Sequence, residues 1–292
     1  MEFSKILLLY KRSAYQIYFL EKWHKDFSRE NPISRQQIQR FKKAHDAHYR
    51  SLFFIENILR RYKIPYKKYA RGHKVNYEDY GMVITVGGDG TFLEAARNLR
   101  EQFILGVNSD PHQSIGRFCT ATAETFEKMI TKIRDGNFDA KLFPRIKLRL
   151  NYKLQERTVN VLNDILICHE NPAAMSRYQM EINDIDEEQR SSGVWIATAA
   201  GASGAIKSAG GRRMSPLRQE IQYQPRELYY GRNNHYRLTG GMLKLKTPMR
   251  VVSLMRNGSI FVDGAHLRFL FPFGNIVKIF HSPDPIKIIG LR

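Results

Sequence analysis

The sequence predicts an α/β domain built on a parallel sheet, followed by a β-rich domain. Three observations predict it. Apolar runs with strand character alternate with patterns of helical period over roughly the first 140 residues, which is the signature of a parallel sheet with crossover helices. Beyond residue 145 the helical period fades and short strand-like runs follow one another. Finally, 292 residues with 42% hydrophobic and 12% aromatic content can fill one large or two moderate cores. The boundary is expected near Phe143 and Pro144, giving domains 1–143 and 144–292. The last residues are expected to pack back on the first domain.

Taken in order, residues 5–10 form an apolar run that reads as a buried strand. Ser34 then opens a long helix, in which Ile38, Phe41, Leu52, Ile55, Ile58 and Leu59 recur near a period of 3.6. Pro65 ends it. Residues 83–86 are β-branched and stop in glycines, and residues 103–108 form another strand closed by turn chemistry. Residues 124–134 carry Phe126, Met129, Ile130 and Ile133 on one helical face, with Gly136 just past the end. Strands are expected next at 145–152, 159–168, 178–182, 193–199, 250–254, 259–262 and 276–280. Residues 222–238 are aromatic and basic without a period and read only as loop or irregular strand.

The formal net charge is +19, and residues 1–75 alone hold 18 Lys and Arg against 6 Asp and Glu. These charges alternate with apolar residues instead of forming a homogeneous arm, and no nucleic-acid fold signature accompanies them. We read them as a solvated basic face that also draws in anionic nucleotides, and nucleic acid is not an expected partner. The apolar run at residues 6–9 is too short to span a membrane. Neither a secretory signal nor an Arg- and Ser-rich transit peptide is visible, so a cytoplasmic protein is expected. Cys119 and Cys168 have no metal or redox spacing and read as reduced thiols. His45 and His48 lie three apart on the long helix; with no third ligand nearby they read as a solvated face, and no metal-ligating cluster is expected.

The most informative stretch is Gly-Gly-Asp-Gly-Thr at 87–91. Gly87, Gly88 and Gly90 allow positive φ and close approach to a polyphosphate. Thr91 is expected to cap the helix suggested by Phe92, Leu93, Ala95, Ala96 and Leu99, placing a helix N-terminus beside the loop. Asp89 is a carboxylate held where phosphate would sit, suited to handling a metal or a proton. The pattern is neither the Gly-Lys-Ser/Thr phosphate loop nor the Gly-x-Gly-x-x-Gly dinucleotide turn.

Three further elements carry polar groups in unusual places. Residues 106–119 put Asn108 and Asp110 at a strand's carboxyl end, where open α/β sheets bind ligands. Residues 161–167 set Asn163 and Asp164 in an apolar strand, which is costly unless both find partners; strand alternation points them to opposite faces. Residues 192–211 run from a strand into a small-residue segment with room for a flat ligand, with Ser203 and Ser208 as side-chain donors and Lys207 as its charge.

These four elements, in this order, resemble the NAD kinase family across most of the chain. The first element is shared with diacylglycerol and sphingosine kinases and, more distantly, phosphofructokinases, all of which phosphorylate a hydroxyl. The run from Asn108 to Gly116, with Ser191-Ser192-Gly193, is most similar to the mitochondrial-type branch, here as a compact bacterial relative. The resemblance implies an NAD kinase-like or diacylglycerol kinase-like fold. It implies that Asp89 approaches the 2′-hydroxyl of the adenosine ribose of NAD, with Gly87, Gly88, Gly90, Thr91 and Asn108 around the phosphates. It implies that Asn163, Asp164, Ser203, Ser208 and Asp263 bind NAD, Asp164 standing where many members have glutamate. Most members read Thr-Gly-Ser-Thr-Ala-Tyr where this chain has Ala-Gly-Ala-Ser-Gly-Ala at 200–205. The tyrosine is replaced by Ala205 and a serine by Ala202, so adenine must be held by other groups or less tightly.

The implied reaction is phosphorylation of NAD to NADP by ATP, or by another phosphoryl donor such as polyphosphate, with Mg2+ or another divalent cation. A homodimer or higher homo-oligomer is the implied assembly. The competing readings are a lipid kinase of the diacylglycerol type and a non-catalytic nucleotide-binding relative.

Overall fold

Apolar residues 6–9 and 82–84 form neighbouring strands in a computed structural model that describes residues 5–21, 33–152, 155–231, 235–244 and 246–291. The chain divides into two units, Met1–Lys141 with Ile286–Arg292 and Leu142–Pro285.

The first unit runs through β1 (Ile6–Tyr10), α1 (Arg35–Arg61), β2 (Tyr66–Ala70), β3 (Met82–Gly87), α2 (Asp89–Asn98), β4 (Phe103–Asn108), β5 (Ala121–Thr122), α3 (Ala123–Arg134) and β6 (Ala140–Phe143). Its sheet has the order β2-β1-β3-β4, then the chain's last strand, Ile286–Ile289, then β6. β1 to β4 are parallel, and the last strand is parallel to β4. All six residues of β3 are buried, as expected of a central parallel strand covered on both faces. Each fully buried Ile or Val there contributes about 1.5–3 kcal/mol.

Ser34 caps α1 through a reciprocal pair with Gln37. Leu52, Ile55, Ile58 and Leu59 pack on the sheet as the period predicts, whereas Phe41 is exposed, so only the second half of the helix covers the core. Gly136 ends α3 at φ +72°, the left-handed position expected of it. Because β1 leads to β2 on one side and β3 leads to β4 on the other, the order reverses between β1 and β3. That crevice is where open α/β sheets bind ligands.

The second unit holds β7 (Ile146–Tyr152), β8 (Gln155–Val161), β9 (Asp164–His169), β10 (Ser176–Ile182), β11 (Ile185–Ser191), β12 (Val194–Thr198), the short α4 (Ala205–Ser208), β13 (Glu220–Pro225), β14 (Gly241–Lys244), β15 (Met249–Ser253), β16 (Gly258–Val262), β17 (Leu267–Leu270) and β18 (Ile276–His281). Two six-stranded sheets form, β11-β10-β15-β18-β7-β8 and β14-β13-β12-β9-β16-β17. Alternating buried residues from both, such as Leu148, Met180 and Val251 on one and Ile167, Ile196 and Ile260 on the other, make a common core.

Three readings of the sequence change here. The strand expected at 159–168 is two strands, β8 and β9, broken at Leu162 and Asn163. The charged segment Ile185–Ser191 is a strand, formed because the Asn183-Asp184 turn, with Asn183 at φ +51°, folds it back on β10. Within 222–238, residues up to Pro225 belong to β13, with Tyr223 in the core, while 232–234 lie outside the described residues.

Candidate functional site

The parallel register aligns the carboxyl ends of four strands: Tyr10 opposite both Ala70 and Val86, and Gly87 opposite Asn108. The residues that follow those ends are therefore neighbours. Lys11 follows β1, Arg71 follows β2, Gly88 and Asp89 follow β3, and Ser109 and Asp110 follow β4.

The glycine loop is built differently from the expectation in two respects. None of Gly87, Gly88 and Gly90 takes positive φ. They are small because neighbours press close: a Cβ on Gly87 would lie 2.6 Å from Thr91 Oγ1, one on Gly88 3.0 Å from Ser114 Oγ, and one on Gly90 3.1 Å from an Arg71 guanidinium nitrogen. Nor does Thr91 cap the helix. Helix α2 starts at once after the strand, with Gly88 in the cap position, and Thr91 is buried in the first turn against Gly87. Asp89 is thereby the first residue of the helix, where the N-terminal dipole favours a carboxylate. Its Oδ1 accepts from Phe118 N at 2.9 Å, and its Oδ2 takes no hydrogen bond among the described residues.

Asn108 is spent on the loop that follows it. Its Nδ2 donates to Ser114 O at 2.7 Å, and its Oδ1 accepts from Asp110 N at 3.1 Å. Behind this loop lies His48, which is fully buried rather than on a solvated face. A carbonyl can only accept, so the ring's Nε2–H donates to Lys11 O at 2.8 Å, leaving Nδ1 to accept from Ser109 Oγ at 2.8 Å. Burial, with Lys11 close by, pushes the His48 pKa down to about 4 and holds the ring neutral. His45 shares a hydrogen bond with Ser13 Oγ at 2.7 Å. Burial and the nearby Asp89 push the Cys119 thiol up to about 12, so it is inert.

In the second unit, Asn163 and Asp164 stand at the turn into β9, not on opposite faces of one strand. The turn lets their side chains meet, Asn163 Nδ2 donating to Asp164 Oδ2 at 2.9 Å. Asp263, in the left-handed region at φ +49°, braces the same turn: its carboxylate accepts from Asn163 N at 2.7 Å, and its N–H donates to Asp164 O at 2.8 Å. Burial first, and then the neighbouring Asp263, push the Asp164 carboxyl up to about 7, against the pull of the Asn163 hydrogen bond. Arg145, fully buried, donates from Nε to Asp284 O at 2.7 Å and feels the charge of Asp263; burial lowers its pKa to about 10.

The small-residue segment packs directly on this turn. A Cβ on Gly201 would lie 2.0 Å from Asn163 O, and one on Gly204 3.6 Å from Asp164 Oδ2. Thr198 Oγ1 donates to Leu162 O and accepts from Gly201 N at 3.2 Å, tying segment and turn together. Ser203 Oγ is buried with no hydrogen-bond partner among the described residues. Ser208 ends α4, exposed, and no hydrogen bond joins its side chain to the others. Ala205 is exposed and Ala202 buried, so the missing tyrosine opens the surface while the missing hydroxyl leaves a packed wall.

The first unit thus gathers Asp89, the three glycines, Thr91 and Asn108, and the second gathers Asn163, Asp164, Ser203 and Asp263. Sequence reasoning missed Lys11, Arg71, Thr198 and Arg145. The first two carried a usable signal, since each follows a strand at the ligand-binding edge; Thr198 and Arg145 gave none.

Comparison with known proteins decides the family. The probable NADH kinase of Oryza sativa subsp. japonica is 32% identical over 266 residues, covering 83% of this chain and 81% of the relative. The NADH kinase of Arabidopsis thaliana is 32% identical over 280 residues, 88% and 87% of the two chains. The family described as ATP-NAD kinase N-terminal domain matches residues 7–138. The chain belongs to the NAD kinase family. Its members are phosphotransferases with an alcohol group as acceptor. The fold agrees. An NAD kinase from Archaeoglobus fulgidus in complex with ATP has a TM-score of 0.68 at 20% identity, over 97% of this chain and 92% of that one. Yeast NADH kinase complexed with NADH has a TM-score of 0.66 at 15% identity, over 97% and 83%.

Proposed function

We propose that this NAD kinase family member transfers the γ-phosphoryl group of ATP to the 2′-hydroxyl of the adenosine ribose of NAD, giving NADP and ADP. The observation that carries the reading is Asp89, seated at the N-terminus of α2 with Oδ1 fixed by Phe118 N. In the transfer the new bond joins O2′ to Pγ, the bond from Pγ to the β,γ-bridging oxygen breaks, and the hydroxyl proton leaves. A carboxylate is too weak a base to strip that proton early. In a loose transition state it need not, because the carboxylate orients the nucleophile and takes the proton late. Backbone N–H groups at the start of α2 face developing negative charge without reorganising, and positioning supplies most of the rate.

A divalent cation fits this site by the chemistry of its donors. Asp89 and the buried Asp110 are hard oxygen ligands, and Mg2+ is commonly held by one or two carboxylates with the substrate phosphates. When bound, it would neutralise charge on the transferring group. NAD is assigned to Asn163, Asp164, Ser203, Ser208 and Asp263, in the domain spanning 144–292, and the phosphate-binding loop to the domain spanning 1–143. Oxidised and reduced cofactor carry the same adenosine ribose, so the chemistry also suits relatives named NADH kinases. The reading includes a cytoplasmic homodimer or larger homo-oligomer. In its support Cys119 and Cys168 are free thiols, as suits a reducing compartment.

Asp89→Asn tests the role directly. The amide keeps the size of the side chain but cannot take a proton, so NADP formation should fall by about 1,000-fold, within the range a positioned general base contributes, while the thermal unfolding midpoint stays within a few degrees. A variant retaining a tenth of wild-type turnover would remove Asp89 from the mechanism.

A further inference from the structure

Two cations reach the glycine loop from the adjacent strands β1 and β2, on the side of the switch point opposite β4, and no role described so far uses them. Lys11 leaves the end of β1, its N–H donating to Val86 O at 3.3 Å, and its stem passes 3.5 Å from where a Gly87 Cβ would be. Arg71 leaves the end of β2, its N–H donating to Tyr10 O at 2.8 Å, and its guanidinium lies against Gly90. We propose that Lys11 and Arg71 form a two-sided clamp on the polyphosphate of the phosphoryl donor, Lys11 at the Gly87 side of the loop and Arg71 at the Gly90 side.

Three features support a ligand role over a structural one. First, Lys11 Nζ makes no hydrogen bond or ion pair among the described residues, although burial is costly enough to lower its pKa. Asp110 is the carboxylate whose charge it feels most, and Arg71 is near enough to oppose its ionisation. Two cations converging on one loop repel each other unless an anion is shared between them. Second, among the described residues Arg71 is held by its Nε alone, which donates to Glu94 Oε2 at 3.0 Å, while Glu94 Oε1 accepts from Gly72 N at 2.6 Å. The carboxylate aims the guanidinium and leaves its Nη groups available, the geometry suited to phosphate oxygens. Third, the loop that both side chains approach, Lys11 at Gly87 and Arg71 at Gly90, leads directly into the N-terminus of α2, whose first backbone N–H groups favour an anion.

The inference rests on the donor-binding role proposed above, yet it can be tested without turnover. Titration calorimetry in Mg2+ buffer would compare ATP with AMP for the wild type, Lys11→Met, Arg71→Gln and the charge-keeping Arg71→Lys. A clamp on the terminal phosphates predicts that Lys11→Met and Arg71→Gln each weaken ATP at least ~10-fold while AMP changes less than ~2-fold, with Arg71→Lys recovering most of the loss. Parallel weakening of ATP and AMP would mean that the residues only shape the loop, and unchanged ATP affinity would mean that they do not touch the donor. Either result, or a wild type that binds ATP no better than AMP, overturns the clamp. Failure of the wild type to form NADP bears instead on the acceptor, and the ATP and AMP contrast still decides the clamp.

Discussion

A carboxyl group pushed up to about 7 exchanges its proton near neutrality, and Asp164 is such a group, buried beside Asp263 and bonded to Asn163. Its native pKa lies above the ordinary aspartate value. Between pH ~4 and ~7 the folded protein therefore binds a proton that the unfolded chain has lost, so stability from this group falls as pH rises through that window. The slope is up to about 1.4 kcal/mol per pH unit. Asp164→Asn removes the titration. In urea unfolding, the stability of the variant relative to wild type should rise from pH 5 to pH 8; a difference that stays constant with pH would show that Asp164 is ionised throughout. The chemistry of this residue was visible in the sequence as an Asn-Asp pair in apolar surroundings. Its geometry was not, because residues 159–168 read as a single strand and no glycine or proline marks the turn at Asn163.

At the scale of elements, α1 acts through one side chain as much as through its apolar face. His48 ties the helix to the ends of β1 and β4 by bonding Lys11 O and Ser109 Oγ. His48→Ala leaves both groups buried without that partner and opens a cavity, so a loss of about 2–4 kcal/mol is expected in chemical denaturation. The wild type carries an acid sensitivity as well. With the native pKa lowered to about 4, unfolding takes up a proton as pH falls from about 6.5, and stability drops across that range. The variant should lose that pH dependence, and an unchanged acid limb would place it elsewhere. The sequence offered only two histidines three apart, since spacing alone cannot tell a buried bridge from a wet face. Elements were legible where apolar period and length agreed, as in β1, β3, β4 and α3. They were obscure where pairing overrode composition, as in the charged β11, or where polar residues alternate with the core, as Gln222 and Gln224 do in β13.

At the scale of the molecule, the formal charge of +19 is large for 292 residues, and the substrates proposed here are anions. Among the described residues no helix is long and apolar enough to cross a membrane. Both units were foreseen in class, a parallel α/β sheet and a β-rich domain, because alternating periodicities are a property of whole segments. The last strand, Ile286–Ile289, lies in the first sheet beside β4, a pairing that sequence order does not specify, since it says nothing of which neighbour a terminal strand selects. The motif at 87–91 named the chemistry, and membership of the NAD kinase family names the acceptor. Incubation of the purified protein with NAD, ATP and Mg2+, followed by detection with an NADP-specific dehydrogenase, tests that claim most directly. NADP should accumulate in step with ADP and require ATP; a flat trace beside an active control enzyme would contradict it.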